Sequence, residues 1–508
     1  MRRQHSLELV LFLLLFISSA YFHRTNSGWN ANSRLALTFA LVERHTTQID
    51  DYWNRPGTET WDAAVYKGHY YSDKIIGVSL LGVPAYVLTR AVEDLLDASL
   101  TTEQKRYWVT ILAIALPGAL SAVLLFRLLL LYQIRFAGGE TLTAPFLIAV
   151  SLHLGTLLFS YSTLFMSYLP AHAFFVAALY VFERWLARDG SRAARPNIAP
   201  VVTFACGLLC GFAVLCEYLY AITGGLFALY VLIKSRRRRN YVFFVLGAVL
   251  GVSPFLVYTY TIFGRPAVPY QYHMVPGFRA AMAEGLMGAT KPRFSVLVLL
   301  SFHPFRGLFV HSPMLLLGVA GALAMLRDRR LRPLSLLILS SVVVVFLYNS
   351  AYYMWWGGWS FSPRHLAPAL PLFAIGMVYG WRYAAVRWLF PLLVVPAIAL
   401  HLIVTATDPQ VPEPRNDKFL RRPSLTKRPY PIPFTSQVLP AFRHRRTDPN
   451  GGTWVGLSRG WPSLLPLMGA WLASGLISFA LLKSKRPDEC GTEGSAKVDS
   501  LISERKLE

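Results

Sequence analysis

Runs of apolar residues long enough to cross about 30 Å of hydrocarbon recur along the whole chain, separated by short polar stretches. They predict spans near 7–22, 107–131, 142–160, 170–187, 199–216, 218–233, 241–262, 310–326, 333–349, 366–384, 388–406 and 461–482. The pattern is that of an all-α polytopic membrane protein with about 12 transmembrane helices, forming one transmembrane domain over 1–483. The apolar stretch 75–95 is expected to be an external juxtamembrane helix, lying on the membrane surface or re-entrant. Counting it as a span would invert every later loop and put Arg236 to Arg239 outside.

The connections alternate in charge. Arg2 and Arg3, Arg135, Arg184 to Arg195, Lys234 to Arg239, Arg327 to Arg332, Arg382 and Arg387, and Lys483 to Arg486 all fall on one side, which the positive-inside rule makes cytoplasmic. Both termini are then inside, and external loops cover 23–106, 263–309 and 407–460. The first run, preceded by Met1-Arg2-Arg3 and lacking a small-residue cleavage site, reads as an uncleaved signal anchor. Residues 484–508 are polar and charged and are expected to form a disordered cytoplasmic tail.

Composition supports the membrane reading: 54% of the 508 residues are hydrophobic. The net charge of +23 does not point to nucleic acid, because much of the excess sits in short cytoplasmic loops where insertion topology accounts for it. The segment 408–460 is different. It carries ten Lys/Arg against four acids and many prolines. Topology does not require that of a long translocated loop, so attraction to lipid phosphates or an anionic glycan is expected there, beside the plain alternative of a solvated basic loop. Cys206, Cys210 and Cys216 share one predicted helix and Cys490 lies in the tail, so no disulfide framework is implied and the thiols read as small buried apolar groups. No Gly-rich phosphate loop, G-x-S-x-G elbow or short repeat occurs, which removes support for ATP-driven and serine-hydrolase chemistry.

The polar residues that topology leaves unexplained gather on the predicted external face. Between Thr60 and Gly77 the chain reads T-W-D-A-A-V-Y-K-G-H-Y-Y-S-D-K-I-I-G. Further polar clusters surround Tyr161 to His172, Cys216 to Tyr220, Ser301 to Pro313, and the Y-Y-M-W-W-G-G-W-S-F-S-P-R-H stretch from Tyr352. An external enzyme has neither nucleotide sugar nor ATP, so an activated group arrives on a lipid phosphate. A cation must then hold the phosphate, and a carboxylate must take the acceptor proton. Asp50, Asp51 and Asp62 are the candidate bases, and Lys74, Arg306 and Arg364 the candidate phosphate ligands. His69, Tyr71, Asp73, Glu217, Trp356 and His365 complete the candidate substrate site, Glu217 because an acid at the end of an apolar helix is costly without a partner.

Each of these residues also has a plain structural reading. Asp50 and Asp51 suit a turn, Asp62 would cap a helix Ala63 to Tyr66, Lys74 would snorkel, and Trp355, Trp356 and Trp359 would be interfacial belt residues. The paired Asp50 and Asp51 have the oxygen chemistry to hold a divalent cation, though adjacency alone fixes no metal.

The long loop after the first span, with its acids and an S-D-K-x-x-G element leading into a surface helix, resembles the C-type glycosyltransferase superfamily. Within it the likeness is to the branch of protein O-mannosyltransferases and aminoarabinose transferases, which use polyprenyl-phosphate sugars. Asp73-Lys74 match that branch's D-K-P-P element while Ile75-Ile76 depart from it, and the resemblance gives Lys74 a contact to the lipid phosphate. The family also places an Asp-Glu pair, serving as base or metal ligand, at the start of the first external helix. Here Trp29 to Arg34 read W-N-A-N-S-R with no acid, so the base must come from Asp50, Asp51 or Asp62, or the chain is an inactive member.

The function expected is transfer of a sugar from a polyprenyl-phosphate donor to an external lipid, glycan or protein acceptor, with inversion at the anomeric carbon. The absence of an N-x-[S/T] sequon leans toward a bacterial plasma membrane. Two rivals share the pattern: a transporter or flippase of lipid-linked or anionic solutes, and a glycan ligase or polymerase using a polyprenyl diphosphate. The clustering of acids in an external loop, rather than within the spans, favours the transferase.

Overall fold

The computed structural model describes residues 2–137, 141–189, 200–235, 237–413 and 430–483, together with 420, 423 and 425. Much of the basic run Arg415 to Arg428 and the expected tail 484–508 lie outside the described residues, as do Arg192, Arg195, Arg236, Arg486 and Cys490.

Helices account for nearly all regular structure. In chain order they are α1 (Arg2–Ala20), α2 (Gly28–Phe39), α3 (Gly77–Leu95), α4 (Thr102–Thr110), α5 (Leu116–Ala137), α6 (Thr143–Leu154) and α7 (Leu157–Tyr161). There follow α8 (Tyr168–Asp189), α9 (Pro200–Cys216), α10 (Tyr220–Ser235), α11 (Arg238–Phe263), α12 (Pro276–Ala283), α13 (Phe294–Phe302), α14 (Leu308–His311) and α15 (Leu315–Met325). The last are α16 (Arg332–Ala351), α17 (Leu370–Gly380), α18 (Ala384–Ala406), α19 (Leu439–Arg443), α20 (Gly451–Trp454) and α21 (Trp461–Lys483).

Every predicted span meets a helix, but among the described residues six helical stretches are long and apolar enough to cross a membrane: Arg2–Ala20, Thr102–Phe136, Arg238–Phe263, Arg332–Ala351, Ala384–Ala406 and Trp461–Lys483. Others are broken. The run 142–160 divides at Gly155–Thr156 into α6 and α7, and the run 310–326 divides at Ser312 into α14 and α15. The run 366–384 opens with a 3₁₀ turn over Arg364–Ala369, where Pro363 and Pro368 limit α-helical hydrogen bonding.

The expectation of purely helical structure needs correction in the first loop. Residues Ala63–Tyr66 form a strand, β1, rather than the helix that Asp62 was expected to cap, and pair antiparallel with β2 (His69–Ser72). The register runs from Ala63 opposite Ser72 to Tyr66 opposite His69. Lys67 and Gly68 both have positive φ, 51° and 83°, the signature of a two-residue turn whose twist matches the hairpin. The stretch 77–95 is helical as expected. One side is buried, while Leu80, Val87, Leu88, Val92 and Leu95 form an exposed apolar stripe, as suits a surface helix.

Packing is densest where small residues let backbones meet. A Cβ on Gly211 would lie 2.4 Å from the Ala248 carbonyl and 2.8 Å from the Gly251 Cα, so α9 and α11 touch along Gly207, Gly211, Gly247 and Gly251. In the same way Gly77, at the start of α3, abuts the Leu215 carbonyl near the end of α9. That contact brings the S-D-K element of the first loop beside Glu217.

Candidate active site

The hairpin brings Asp62 and Asp73, eleven positions apart in sequence, to the same end of a short ladder. Lys74 Nζ lies 2.8 Å from Asp62 Oδ2 and 2.8 Å from Asp73 Oδ2. Asp73 and Lys74 are buried, while the Asp62 side chain remains 22% exposed. Ser33 of α2 approaches Asp73 Oδ1 at 3.4 Å and shares a 2.8 Å hydrogen bond with Ser72. Asp62 Oδ1, by contrast, accepts no hydrogen bond among the described residues, and His273 Nε2 stands 4.0 Å from it.

His273 arrives from the loop after α11, where the Met274 N–H donates to the Ala63 carbonyl and His273 bridges to Ala64, adding a third strand-like edge to the hairpin. The ring is buried and stacked on Phe278 with centroids 4.2 Å apart. Its Nδ1 accepts the Val275 backbone N–H at 3.0 Å, so the ring proton sits on Nε2, aimed between the two carboxylates at 3.6 and 4.0 Å. Tyr270 places its ring 5.3 Å from the Lys74 ammonium.

Burial and charge divide the two acids. Burial raises both carboxyls, but Lys74 and His273 outweigh it at Asp62 and hold that group well below the usual carboxylate range. At Asp73 burial dominates: although Lys74 opposes it, the neighbouring Asp62 charge adds to the desolvation cost and the carboxyl is pushed up. Burial also works against the Lys74 charge, yet the two carboxylates keep its ammonium above its ordinary value. The arrangement is therefore an ionised Asp62 beside a permanent cation.

Further charges complete the wall. Glu217, in the turn between α9 and α10, accepts the Ser167 hydroxyl at 2.5 Å. Arg34 of α2 reaches Ser167 at 3.5 Å and donates to the Ile75 carbonyl at 3.0 Å. Arg34 is the one charged residue of the Trp29–Arg34 stretch, which carries no acid. Arg364 lies close enough to this group that, with burial working against its charge, Tyr168, Tyr161, Asp62 and Glu217 together raise its pKa. Its side chain rests against Gly357 and Gly358, at φ 80° and 64°; a Cβ on Gly357 would stand 3.2 Å from Arg364 Cγ. The double glycine of W-W-G-G-W thus makes room for the arginine. Buried polar atoms are left over around the same space: Tyr218 Oη, Tyr258 Oη, His273 Nε2 and Arg364 Nε have no hydrogen-bond partner among the described residues.

Of the residues singled out in the sequence, Asp62, Asp73, Lys74, Glu217 and Arg364 share this region, and Tyr71 belongs to β2 beside it. The others have different neighbours. Asp50 accepts from the Tyr70 N–H at 2.7 Å and the His69 ring at 2.8 Å, bracing β2 near its turn end. Asp51 pairs with Arg44 at 3.1 Å on the exposed surface. Arg306 is fully buried and donates to the carbonyls of Phe305, Trp356 and Phe361, with Nη2 unpartnered among the described residues. Trp356 is buried with its indole N–H unpartnered, Trp355 donates to the Leu420 carbonyl, and Trp359 is half exposed. His365 meets Asn349 at 3.1 Å, and burial together with Arg364 lowers its pKa to about 3. Sequence reasoning missed His273 and Arg34.

Asp62, Asp73 and His273 also form a three-residue group whose ligand-capable atoms lie within 4.8 Å of one another. As arranged, it does not fit a divalent cation. Lys74 already spans both carboxylates, and the Val275 N–H commits His273 to the tautomer whose Nε2 is a donor and cannot ligate.

No protein-family model matches the chain, and no curated sequence does. Among solved structures, the fold is similar to that of ArnT from Cupriavidus metallidurans bound to undecaprenyl phosphate, at 15% identity over 94% of this chain and 75% of that one, with a TM-score of 0.46. It is also similar to the Archaeoglobus fulgidus oligosaccharyltransferase in its apo form, at 12% identity over 85% of this chain and 60% of that one, with a TM-score of 0.48. The chain thus spans about three fifths of the archaeal enzyme.

Proposed function

We propose that this chain transfers a sugar from a polyprenyl-phosphate donor to an acceptor hydroxyl or amine on the external face of a bacterial plasma membrane. One observation carries the reading: a carboxylate oxygen, Asp62 Oδ1, is open on one side and held ionised on the other by the buried Lys74. A general base needs a free lone pair in its ionised form; Lys74 keeps Asp62 ionised at the expense of its basicity, so proton uptake accompanies formation of the new bond rather than preceding it.

In the proposed reaction Asp62 takes the acceptor proton as the acceptor atom bonds to the anomeric carbon. The bond from that carbon to the phosphate oxygen breaks, and the polyprenyl phosphate leaves with the electron pair. Lys74 has three N–H donors and uses two on carboxylates, which leaves one for the phosphate. Arg364, with its unpartnered Nε, is the second phosphate ligand. Both stabilise charge that grows on the leaving group. The buried hydroxyls of Tyr218 and Tyr258 are available to the sugar. Asp50 has the weaker claim to the base because both its oxygens already accept, from the His69 ring and the Tyr70 N–H, and Asp51 because it lies exposed on the surface against Arg44.

The test is turnover of a synthetic short-chain polyprenyl-phosphate sugar by the purified protein in detergent, where no gradient exists. Wild type should consume the donor, and Lys74→Ala and Arg364→Ala should abolish consumption. A wild type that consumes no donor with any acceptor fraction, yet moves a labelled lipid or solute across proteoliposomes, would replace this reading with the transporter.

A further inference from the structure

Far from the Lys74 cluster in sequence, the described part of the basic segment forms a surface of unpaired cations. Arg443, His444, Arg445, Arg446 and Arg459 are all exposed, and none makes an ion pair among the described residues. The one acid between Arg443 and Arg459, Asp448, is already used: it accepts from Arg24 at 2.9 Å and from the Thr25 hydroxyl at 2.8 Å. Arg445 adopts φ 57°, a left-handed conformation that non-glycine residues rarely take. Its side chain lies against Gly460, where a Cβ would be 3.5 Å from Arg445 Cγ, which brings the arginine to the start of α21.

The same place collects exposed aromatic rings. Trp454 and Trp461 are 56% and 55% exposed, and Trp108 is 47% exposed. Trp461 packs edge-on to Phe442 at 4.9 Å, next to Arg443, and Tyr107 stands between Trp108 and Trp454 at 5.3 and 5.7 Å. Three long apolar helices end here together. Tyr21, just past α1, donates to the Ser463 carbonyl of α21 at 2.6 Å, and Tyr107 of α4 donates to the Ala20 carbonyl at 2.7 Å. A ring of tryptophan and tyrosine at the shared ends of apolar helices marks the headgroup level of a bilayer. Below it α21 turns an exposed apolar face outward, with Leu465, Leu472, Leu476 and Phe479 each more than half exposed.

From this juxtaposition we infer a binding site for an anionic phospholipid, its phosphate among Arg443, Arg445, Arg446 and Arg459 and its acyl chains along α21. Guanidiniums at headgroup height meet phosphate in a bidentate way that a zwitterionic headgroup, carrying its own cation, offsets. These helix ends share one interface, whichever side of the membrane it faces.

The purified full-length protein, exchanged into mixed micelles of phosphatidylglycerol and phosphatidylcholine, tests this by native mass spectrometry. Wild type should retain phosphatidylglycerol with at least about tenfold preference, since each basic residue at a surface adds about fivefold and salt screens the sum. The preference should shrink at high salt and vanish in R443Q/R445Q/R446Q/R459Q, while Trp454→Ala and Trp461→Ala should weaken retention of both lipids without changing the ratio. Salt dependence of the unaltered protein keeps the test valid if the fourfold variant fails to fold. Equal retention of the two lipids by wild type overturns the proposal. So does a soluble anionic glycan that displaces phosphatidylglycerol at equal phosphate concentration, which would make this face a polyanion surface instead.

Discussion

Two buried acidic networks in this molecule are built to opposite plans. At Glu8 of α1 the carboxylate is saturated: Oε1 accepts from Gln4 at 2.7 Å and Arg127 Nε at 2.8 Å, and Oε2 from Arg127 Nη2 at 2.6 Å and the His5 ring at 3.2 Å. At Asp62 and Asp73 two oxygens are shared by one ammonium, a third has a distant serine, and Asp62 Oδ1 has none at hydrogen-bond distance among the described residues. A network with every lone pair used has nothing left to offer a ligand, so it ties α1 to α5. A network with an open acceptor beside leftover donors is incomplete until something enters it.

This difference breaks first under mutation. Asp62→Asn should lower turnover by about 10²-fold or more with little change in donor affinity, whereas Arg127→Leu should lower the melting temperature and leave turnover within about twofold. Initial rates and thermal unfolding on both variants check it, and a large loss of turnover in Arg127→Leu with normal stability would erase the contrast.

The next effect concerns the cation. Removing the Lys74 charge leaves two carboxylates facing each other without a counterion, and an all-oxygen site prefers a hard divalent ion. Lys74→Met should therefore gain Mn²⁺ or Ca²⁺ affinity by at least about tenfold over wild type, measured by titration calorimetry. In wild type a chelator should leave the melting temperature unchanged. Tight, Asp62-dependent Mn²⁺ binding by wild type would contradict the reading of Lys74 as the resident cation.

The smallest effect is in pH dependence. Asp62 has a depressed folded pKa, so its contribution to stability is present above the unfolded value of about 3.9 and is lost as pH falls through the lower folded value. Asp73 is raised and has the opposite sign: its contribution is present below about 3.9 and is lost as pH rises. Asp62→Asn should thus flatten the fall of the melting temperature below about pH 4, and Asp73→Asn should cost less at neutral pH than Asp62→Asn. Melting curves from pH 3 to 7 decide, and equal costs at neutral pH would mean the two acids share one environment.

The helices were legible because a hydrocarbon-length apolar run has few alternatives. Breaks at Gly155 and Ser312 were not, since they depend on neighbouring helices accepting the freed backbone groups; the Ser312 hydroxyl, for instance, donates to the Gly155 carbonyl at 2.8 Å. The hairpin was misread because four residues, A-A-V-Y, are too few to show a period, although Lys67-Gly68 between aromatic and β-branched residues was the available turn signal. Asp73-Lys74 could be found from a local element. His273 could not: it lies 200 positions after Asp73 in sequence and meets the hairpin only through the Ala63 carbonyl and the Ala64 bridge. The adjacent pair Asp50-Asp51 reads as a unit in the sequence, yet the two side chains face different partners.

The hairpin has one more use. Its register holds Asp62 and Asp73 at one end and leaves Lys67 and Gly68 exposed at the other, with nothing within 4 Å of a Cβ placed on Gly68. Length added at the tip lies beyond the last paired residues, so the ladder has no cause to slip. A short glycine-flanked epitope or a dye-bearing loop inserted there would make the turn a handle, with the carboxylates left in place. On intact cells, antibody access to that handle would report directly which way the molecule sits in its membrane.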